Sequence, residues 1–230
     1  MQLYVIAIDG PAGSGKSSLA KELARQLNFD YVNSGLFYRA IAYFIHTKNL
    51  DYSNPNSYSL NWLEDNINLK WDGETIILNN EKLDLNVLQS STIAQIASTI
   101  ATFVSIREFI NKNIQELALL RSIIVDGRDI GATVLPNANV KIFLDADIKT
   151  RAIRRIKQLR EKNNKENITL DMMVNDIIVR DNRDYTREIA PLTKAQDAFL
   201  LDNSNMTFEQ TIEAAKRIFI GKVIDDDWRK

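Results

Sequence analysis

Gly10, Pro11, Ala12, Gly13, Ser14, Gly15, Lys16 and Ser17 run in the order G-x-x-x-x-G-K-S, a spacing that folds backbone N–H groups around a phosphate. The glycines let the chain turn tightly enough for those groups to converge. A helix opening at Lys16 adds its positive dipole end to the same anion. Lys16 then reaches the β- and γ-phosphates of a nucleoside triphosphate, and the Ser17 hydroxyl is the expected Mg2+ ligand. With Ser18 in the same first turn, residues 10–18 form the expected ATP-binding set. Such a loop does not name a reaction, because switches, motors and kinases all carry one. A guanine-reading switch needs N-K-x-D or T-K-x-D, and Thr193, Lys194, Ala195, Gln196 and Asp197 hold one residue too many.

Charged side chains cluster elsewhere at the places where an open α/β sheet takes its ligands. Ser34, Tyr38 and Arg39 follow a second strand, with Ser34 an N-cap for the next helix. Tyr38 and Arg39 either offer a ring and a guanidinium to one ligand or simply decorate a capped helix. Asp126, Gly127, Arg128 and Asp129 close a buried apolar strand. Arg128 can bind a phosphate in a fork, and the two aspartates can hold magnesium water or a substrate hydroxyl or amine. Asp9, just before the loop, is either structural or an orienter of magnesium water. Arg180, Arg183, Asp184 and Arg187 share one helical face by their spacing. Arg151, Arg154, Arg155 and Arg160 form another basic set ahead of the polar segment 162–167. Arginines on both sides of such a segment suggest a mobile lid over about 155–170 that closes on phosphates and excludes water. Arg155 is expected to join Lys16 and Arg128 on the transferring group.

The number of arginines separates two kinds of acceptor. An alcohol must lose a proton, commonly to a carboxylate base, whereas a phosphate is largely ionised at neutral pH because its second pKa is about 6. A phosphate acceptor needs cations that bring two anions together. Arg39, Arg107, Arg128, Arg180 and Arg187 supply more positive charge than one triphosphate requires, which points to a nucleoside monophosphate. Another small phosphate-loop kinase, acting on a different monophosphate, shikimate or dephospho-coenzyme A, is the alternative. A non-enzymatic nucleotide switch is a second.

These side chains need a frame, and the apolar pattern describes one. Short apolar strands are expected over 3–8, 29–32, 122–125, 140–144 and 198–201, alternating with helices over 16–27, 35–48, 87–101, 106–120, 148–161, 170–183 and 208–220. That alternation predicts a three-layer α/β fold with a parallel sheet. Residues 61–84 read as a small β insert hinged on the Asp72, Gly73 turn, with Trp62 and Trp71 packing it. Length suits one domain over 1–230, and a composition of 45% hydrophobic and 26% charged residues suits a soluble one. A net charge of −1 provides no global field for nucleic acid or acidic membrane. The absence of cysteine excludes disulfides and thiolate metal sites, and the single histidine, His46, is expected to be partly exposed. No apolar run approaches the roughly 20 residues of a membrane span, so a cytoplasmic monomer is expected.

Taken together and in order, GPAGSGKS, NSGLFYR, VDGRDIG with VLP, and RDNRDYTR with APLTKAQDA make the chain closely similar to bacterial cytidylate kinases, members of the P-loop nucleoside monophosphate kinases. The resemblance extends over essentially the whole length, including the insert, which in that family enlarges the monophosphate-binding region. It implies transfer of the γ-phosphoryl group of ATP to CMP or dCMP. It implies that Ser34, Tyr38 and Arg39 hold the monophosphate, with Arg39, Arg128 and Arg187 on its phosphate. Ser98, Arg107 and Asp129 are implied at the cytosine edge, and Arg180 and Asp184 at the ribose. Ser98 and Arg107 lie nine residues apart and would point to opposite sides of one unbroken helix. Both reach one ligand only if the helix breaks near residues 102–104. Relatives often place proline where Val104 stands, and aspartate where Asn33 stands.

Overall fold

The computed structural model describes residues 2–73, 75–161 and 168–227. The strand β1 (Val5–Asp9) buries Ile6, Ala7 and Ile8 completely, so helices must cover both faces of the sheet it belongs to. The helix α1 (Lys16–Leu27) covers one face through Leu19, Ala20, Leu23 and Ala24 and ends at Asn28 in the left-handed conformation. Next come β2 (Asp30–Asn33) and α2 (Ser34–Thr47). Ser34 is not the cap expected of it: the Asn33 side chain accepts from Leu36 N, which leaves the Ser34 hydroxyl free to bond elsewhere.

The region 61–84 is not purely β. It opens with α3 (Leu60–Asn66), capped by Ser59 and buried through Leu63. Behind it, β3 (Leu69–Trp71), β4 (Ile76–Leu78) and the exposed two-residue β5 (Glu81–Lys82) form an antiparallel sheet. Trp71 stacks on Phe37 of α2 at 6.4 Å between ring centroids, and Trp62 meets Phe44 and Tyr58 edge-on. The helix expected over 87–101 is two, α4 (Leu85–Leu88) and α5 (Ser91–Ile100), because Asp84 and Ser90 each cap a new start.

The helix α6 (Val104–Leu120) leaves α5 at an angle of 101°. Phe103 at the corner is extended (φ −85°, ψ 122°) and buried. It stacks on Tyr58, whose carbonyl takes a hydrogen bond from Ser105. Packing thus enforces a break that a proline would otherwise enforce. After α6 the chain forms β6 (Ile123–Asp126), a π-helical turn over Ile130–Val134, β7 (Val140–Asp145), α7 (Ile148–Glu161), α8 (Leu170–Thr186), β8 (Phe199–Asp202) and α9 (Phe208–Asp227). Of the expected lid, residues 162–167 lie outside the described part.

The main sheet runs β2-β6-β1-β7-β8, every pair parallel. Its alternating side chains feed two cores. Ala7, Val32, Ile123 and Val125 join α2, α5 and α6 on one side, while Ile6, Ile8, Ile124, Ile142 and Leu144 join α1 and α9 on the other. The expected three-layer α/β arrangement is therefore observed. A third, small cluster of Ala152, Met173 and Ile177 ties α7 to α8. Among the described residues no single helix is long and apolar enough to cross a membrane.

Val104 is the first residue of α6 and 53% exposed, and Phe103 already holds the extended conformation that proline imposes on its predecessor. Val104→Pro should therefore raise stability by about 0.5–1 kcal/mol through loss of unfolded-state entropy. Urea titration checks this, and a drop in midpoint would contradict the geometry.

Candidate active site

The carboxyl ends of β1, β6 and β7 meet at the phosphate loop. Gly10 (φ +148°) passes so close to β7 that a Cβ there would lie 2.0 Å from the Leu144 carbonyl oxygen, which admits only glycine. The Lys16 ammonium donates to Pro11 O at 2.6 Å and Ser14 Oγ donates to the same carbonyl at 3.1 Å, closing the loop on itself. Gly15, with φ 96°, caps α1 without a side-chain bond, leaving the first helical N–H groups for an anion. Burial holds the Lys16 pKa well below the usual lysine value, and Arg128 and Arg180 push the same way against Asp126 and Asp9. A bound polyanion would restore its full charge.

Ser17 Oγ donates to Asp126 Oδ2 at 2.6 Å, and Tyr31 Oη donates to Asp126 Oδ1 at 3.1 Å. Asn33 Nδ2 in turn donates to Tyr31 Oη at 2.9 Å. The Asp126 main-chain carbonyl accepts from Ser34 Oγ at 2.7 Å, so the corner that carries Arg128 is pinned to α2. Burial raises the Asp126 pKa against the Ser17 bond and the nearby Lys16 charge. Ser17 and Asp126 are hard oxygen donors of the kind Mg2+ takes alongside phosphate oxygens and water, and they fit that ion. Among the described residues no group of three His, Cys, Asp or Glu side chains could hold a metal by itself. Asp9 has the structural role: its two oxygens accept from Ile130 N and Gly131 N at 2.8 Å each. Burial nevertheless pushes its pKa up to about 6.

Two arginine groups lie beyond the loop. Arg107 Nη2 meets Asp129 Oδ2 at 2.5 Å, and Arg187 Nη2 lies 3.6 Å from Asp129 Oδ1. Arg107 also sits 5.8 Å over the Tyr38 ring, whose hydroxyl is pushed up to about 12 by burial. The second group surrounds Lys16. Arg128 Nε pairs with Asp184 at 2.7 Å. Arg180 is lowered to about 10, first by the protein packed around it even though its side chain keeps an open face, then by Arg128. Arg155 and Arg39 add to that repulsion. Arg39 Nη1 donates to Leu88 O at 2.6 Å, and exposed Arg155 reaches Gln158 at 3.2 Å.

Two sequence expectations are corrected here, the helical face of Arg187 and the lid placement of Arg151 and Arg154. Arg187 does not continue the helical face of Arg180 and Asp184, because α8 stops at Thr186 and Arg187 is extended. Arg151 and Arg154 turn to the outer side of the phosphate loop, donating to Ala12 O at 3.0 Å and Ser14 O at 3.4 Å. Ser98 receives Arg183 Nη1 at 3.1 Å, and Ser18 lines a shallow groove with Lys21, Glu22 and Tyr31. Tyr31 and Asn203, which grips Ser14 O at 3.2 Å, escaped the sequence reading. Neither falls in a motif of reactive residue types.

A phosphate loop facing a second cationic cleft, on a parallel sheet, defines a phosphate-loop kinase for two anionic substrates. The family model for cytidylate kinase matches residues 6–219. A cytidylate kinase of Ureaplasma urealyticum is 38% identical over 224 residues, covering 97% of this chain and 99% of the relative. Another, of Alkaliphilus oremlandii, is 39% identical over 213 residues, covering 93% and 96%. A solved structure from Thermus thermophilus, TT1252, is similar in fold alone, with a TM-score of 0.50, 12% identity and coverage of 96% and 98%. The chain belongs to the cytidylate kinase family.

Arg107 and Asp129 are each no more than 5% exposed. Arg107→Met would strip the carboxylate of its nearest cation, and the cost expected for an unpaired buried charge is roughly 3 kcal/mol. Urea unfolding would show it, and a change below 1 kcal/mol would mean that Arg187 replaces the lost partner.

Proposed function

We propose that the chain transfers the γ-phosphoryl group of ATP to CMP or dCMP, giving ADP and CDP or dCDP and serving pyrimidine nucleotide salvage and supply. The observation that carries this is the group of mutually repelling cations, Lys16, Arg128, Arg180, Arg39 and Arg155, which has too few carboxylates to balance it. Two phosphates facing each other supply the missing negative charge. The acceptor oxygen is already ionised near neutral pH, its second pKa being about 6, so attack on the γ-phosphorus needs no side-chain base.

In this reading the loop, residues 10–18, holds ATP, with the N–H groups from Gly13 onward turned to its phosphates. Lys16, Arg128 and Arg155 face the charge that spreads over the transferring group. Ser34, Tyr38, Arg39, Arg128 and Arg187 hold the monophosphate end. Asp129 and Arg107 offer an acceptor and donors to the cytosine edge, with Ser98 from across the α5–α6 corner. Arg180 and Asp184 reach the ribose. Ser17 and Asp126 would hold Mg2+, which supplies charge neutralisation to the β- and γ-phosphates. The segment 155–170 acts as a lid that excludes water. A cytoplasmic monomer is part of the same reading.

Purified protein with ATP and Mg2+ should convert CMP and dCMP to diphosphates faster than UMP, AMP or shikimate. Lys16→Ala should lose at least about a hundredfold in kcat. A coupled ADP assay over that panel decides the matter. Equal turnover without acceptor, or no CDP from CMP, would refute the reading.

A further inference from the structure

Ala12, on the rim of the phosphate loop, has both of its peptide groups bonded outward. Its N–H donates to Asp181 Oδ1 at 3.0 Å, and its carbonyl accepts from Arg151 Nη1 at 3.0 Å. The same Arg151 nitrogen bonds Asp181 Oδ2, which closes a ring through the loop, α7 and α8. Arg151 Nε bonds Ala146 O at 2.9 Å, just past the end of β7. Both side chains are buried, Arg151 to 8% and Asp181 to 7% exposure. The backbone presses in at the same point: a Cβ on Gly13 would lie 3.1 Å from Arg151 O.

Neither residue faces the cleft, yet each neighbours one that does. Arg180 precedes Asp181 on α8, and Arg155 lies one turn beyond Arg151 on α7. The apolar cluster they share is small, with Ala152, Met173 and Ile177 its buried members and Ile148, Ile156 and Val174 among those packed against it. A buried ion pair is a poor device for stability alone, because apolar residues of the same shape commonly do as well or better. Its directional bonds do fix geometry, and both bonds to Ala12 run to a loop that must hold a phosphate. With the Ala12 N–H turned away, the N–H groups from Gly13 onward are the ones left to the anion.

We propose that Arg151 and Asp181 are positioning residues for phosphoryl transfer. Their ring with Ala12 locks α7 and α8 to the phosphate loop and so sets where Arg155 and Arg180 meet the triphosphate. The proposal rests on the kinase reading above. An inactive wild-type protein would defeat that reading, whereas this proposal is judged only between active wild type and variants.

The test uses full-length Asp181→Asn and Arg151→Lys in steady-state assays at 25 °C, with ATP and CMP varied separately and thermal unfolding followed alongside. Asn keeps the shape and one acceptor but drops the charge. Lys keeps the charge but lacks the fork that reaches both Ala12 and Ala146. Both should stay folded at the assay temperature, lose about tenfold in kcat through misplaced arginines, and raise KM for ATP more than KM for CMP. The double variant should be no worse than the poorer single one, because the two residues act as one unit. A lowered Tm with kcat within twofold of wild type would overturn the proposal. So would a larger rise in KM for CMP than for ATP, or single losses that multiply in the double variant. If Asp181→Asn does not fold, Arg151→Lys decides by the same criteria.

Discussion

Lys16, Arg128, Arg180, Arg39 and Arg155 oppose one another's charge inside one cleft, and the rest of the molecule is arranged so that they stay there. Like charges at close range destabilise a folded chain unless ligands or carboxylates offset them. Asp126 and Asp184 offset part of the charge through Lys16 and Arg128. The remainder is what attracts two anions and presses them together. A cleft of this kind works only on a rigid scaffold, because a flexible one would relax by moving the arginines apart.

The scaffold achieves rigidity by crowding backbone against backbone. Gly10 lies under the Leu144 carbonyl, and Gly127 is so tightly enclosed that a Cβ would come within 2.6 Å of Ile130. The Ser34 hydroxyl bonds the Asp126 carbonyl across two neighbouring strand ends. The corner between α5 and α6 directs Arg107 to Asp129 rather than to solvent. Side chains from separate elements thus converge on the site.

The phosphate loop was readable in the sequence because its function lies in local backbone spacing, and α1 has the bounds that the leucine pattern suggested. The parallel sheet was readable for a similar reason: each strand is a short apolar run that needs no partner to be recognised. Long-range bonds were not readable in the same way. Arg151 and Arg154 look like lid arginines by composition, and only the fold turns them behind the loop. Arg187 fits a helical spacing that the chain abandons one residue earlier. Asn33 displaced Ser34 as the cap because two adjacent residues could serve and a tertiary bond claimed the hydroxyl. The π-helical turn at Ile130–Val134 is held by Asp9 through two N–H groups, a relation that spans most of a domain in sequence.

The sheet is sealed by two broad apolar layers, whereas the apolar cluster between α7 and α8, centred on Ala152, Met173 and Ile177, is small. Contact area of that size stabilises far less than either main core. The helical pair therefore opens at a lower free energy than the central strands of the sheet. Amide hydrogens in it would exchange with solvent well before those of β1 or β6. Bound nucleotide would slow that exchange by adding ionic contacts between the pair and the phosphate loop.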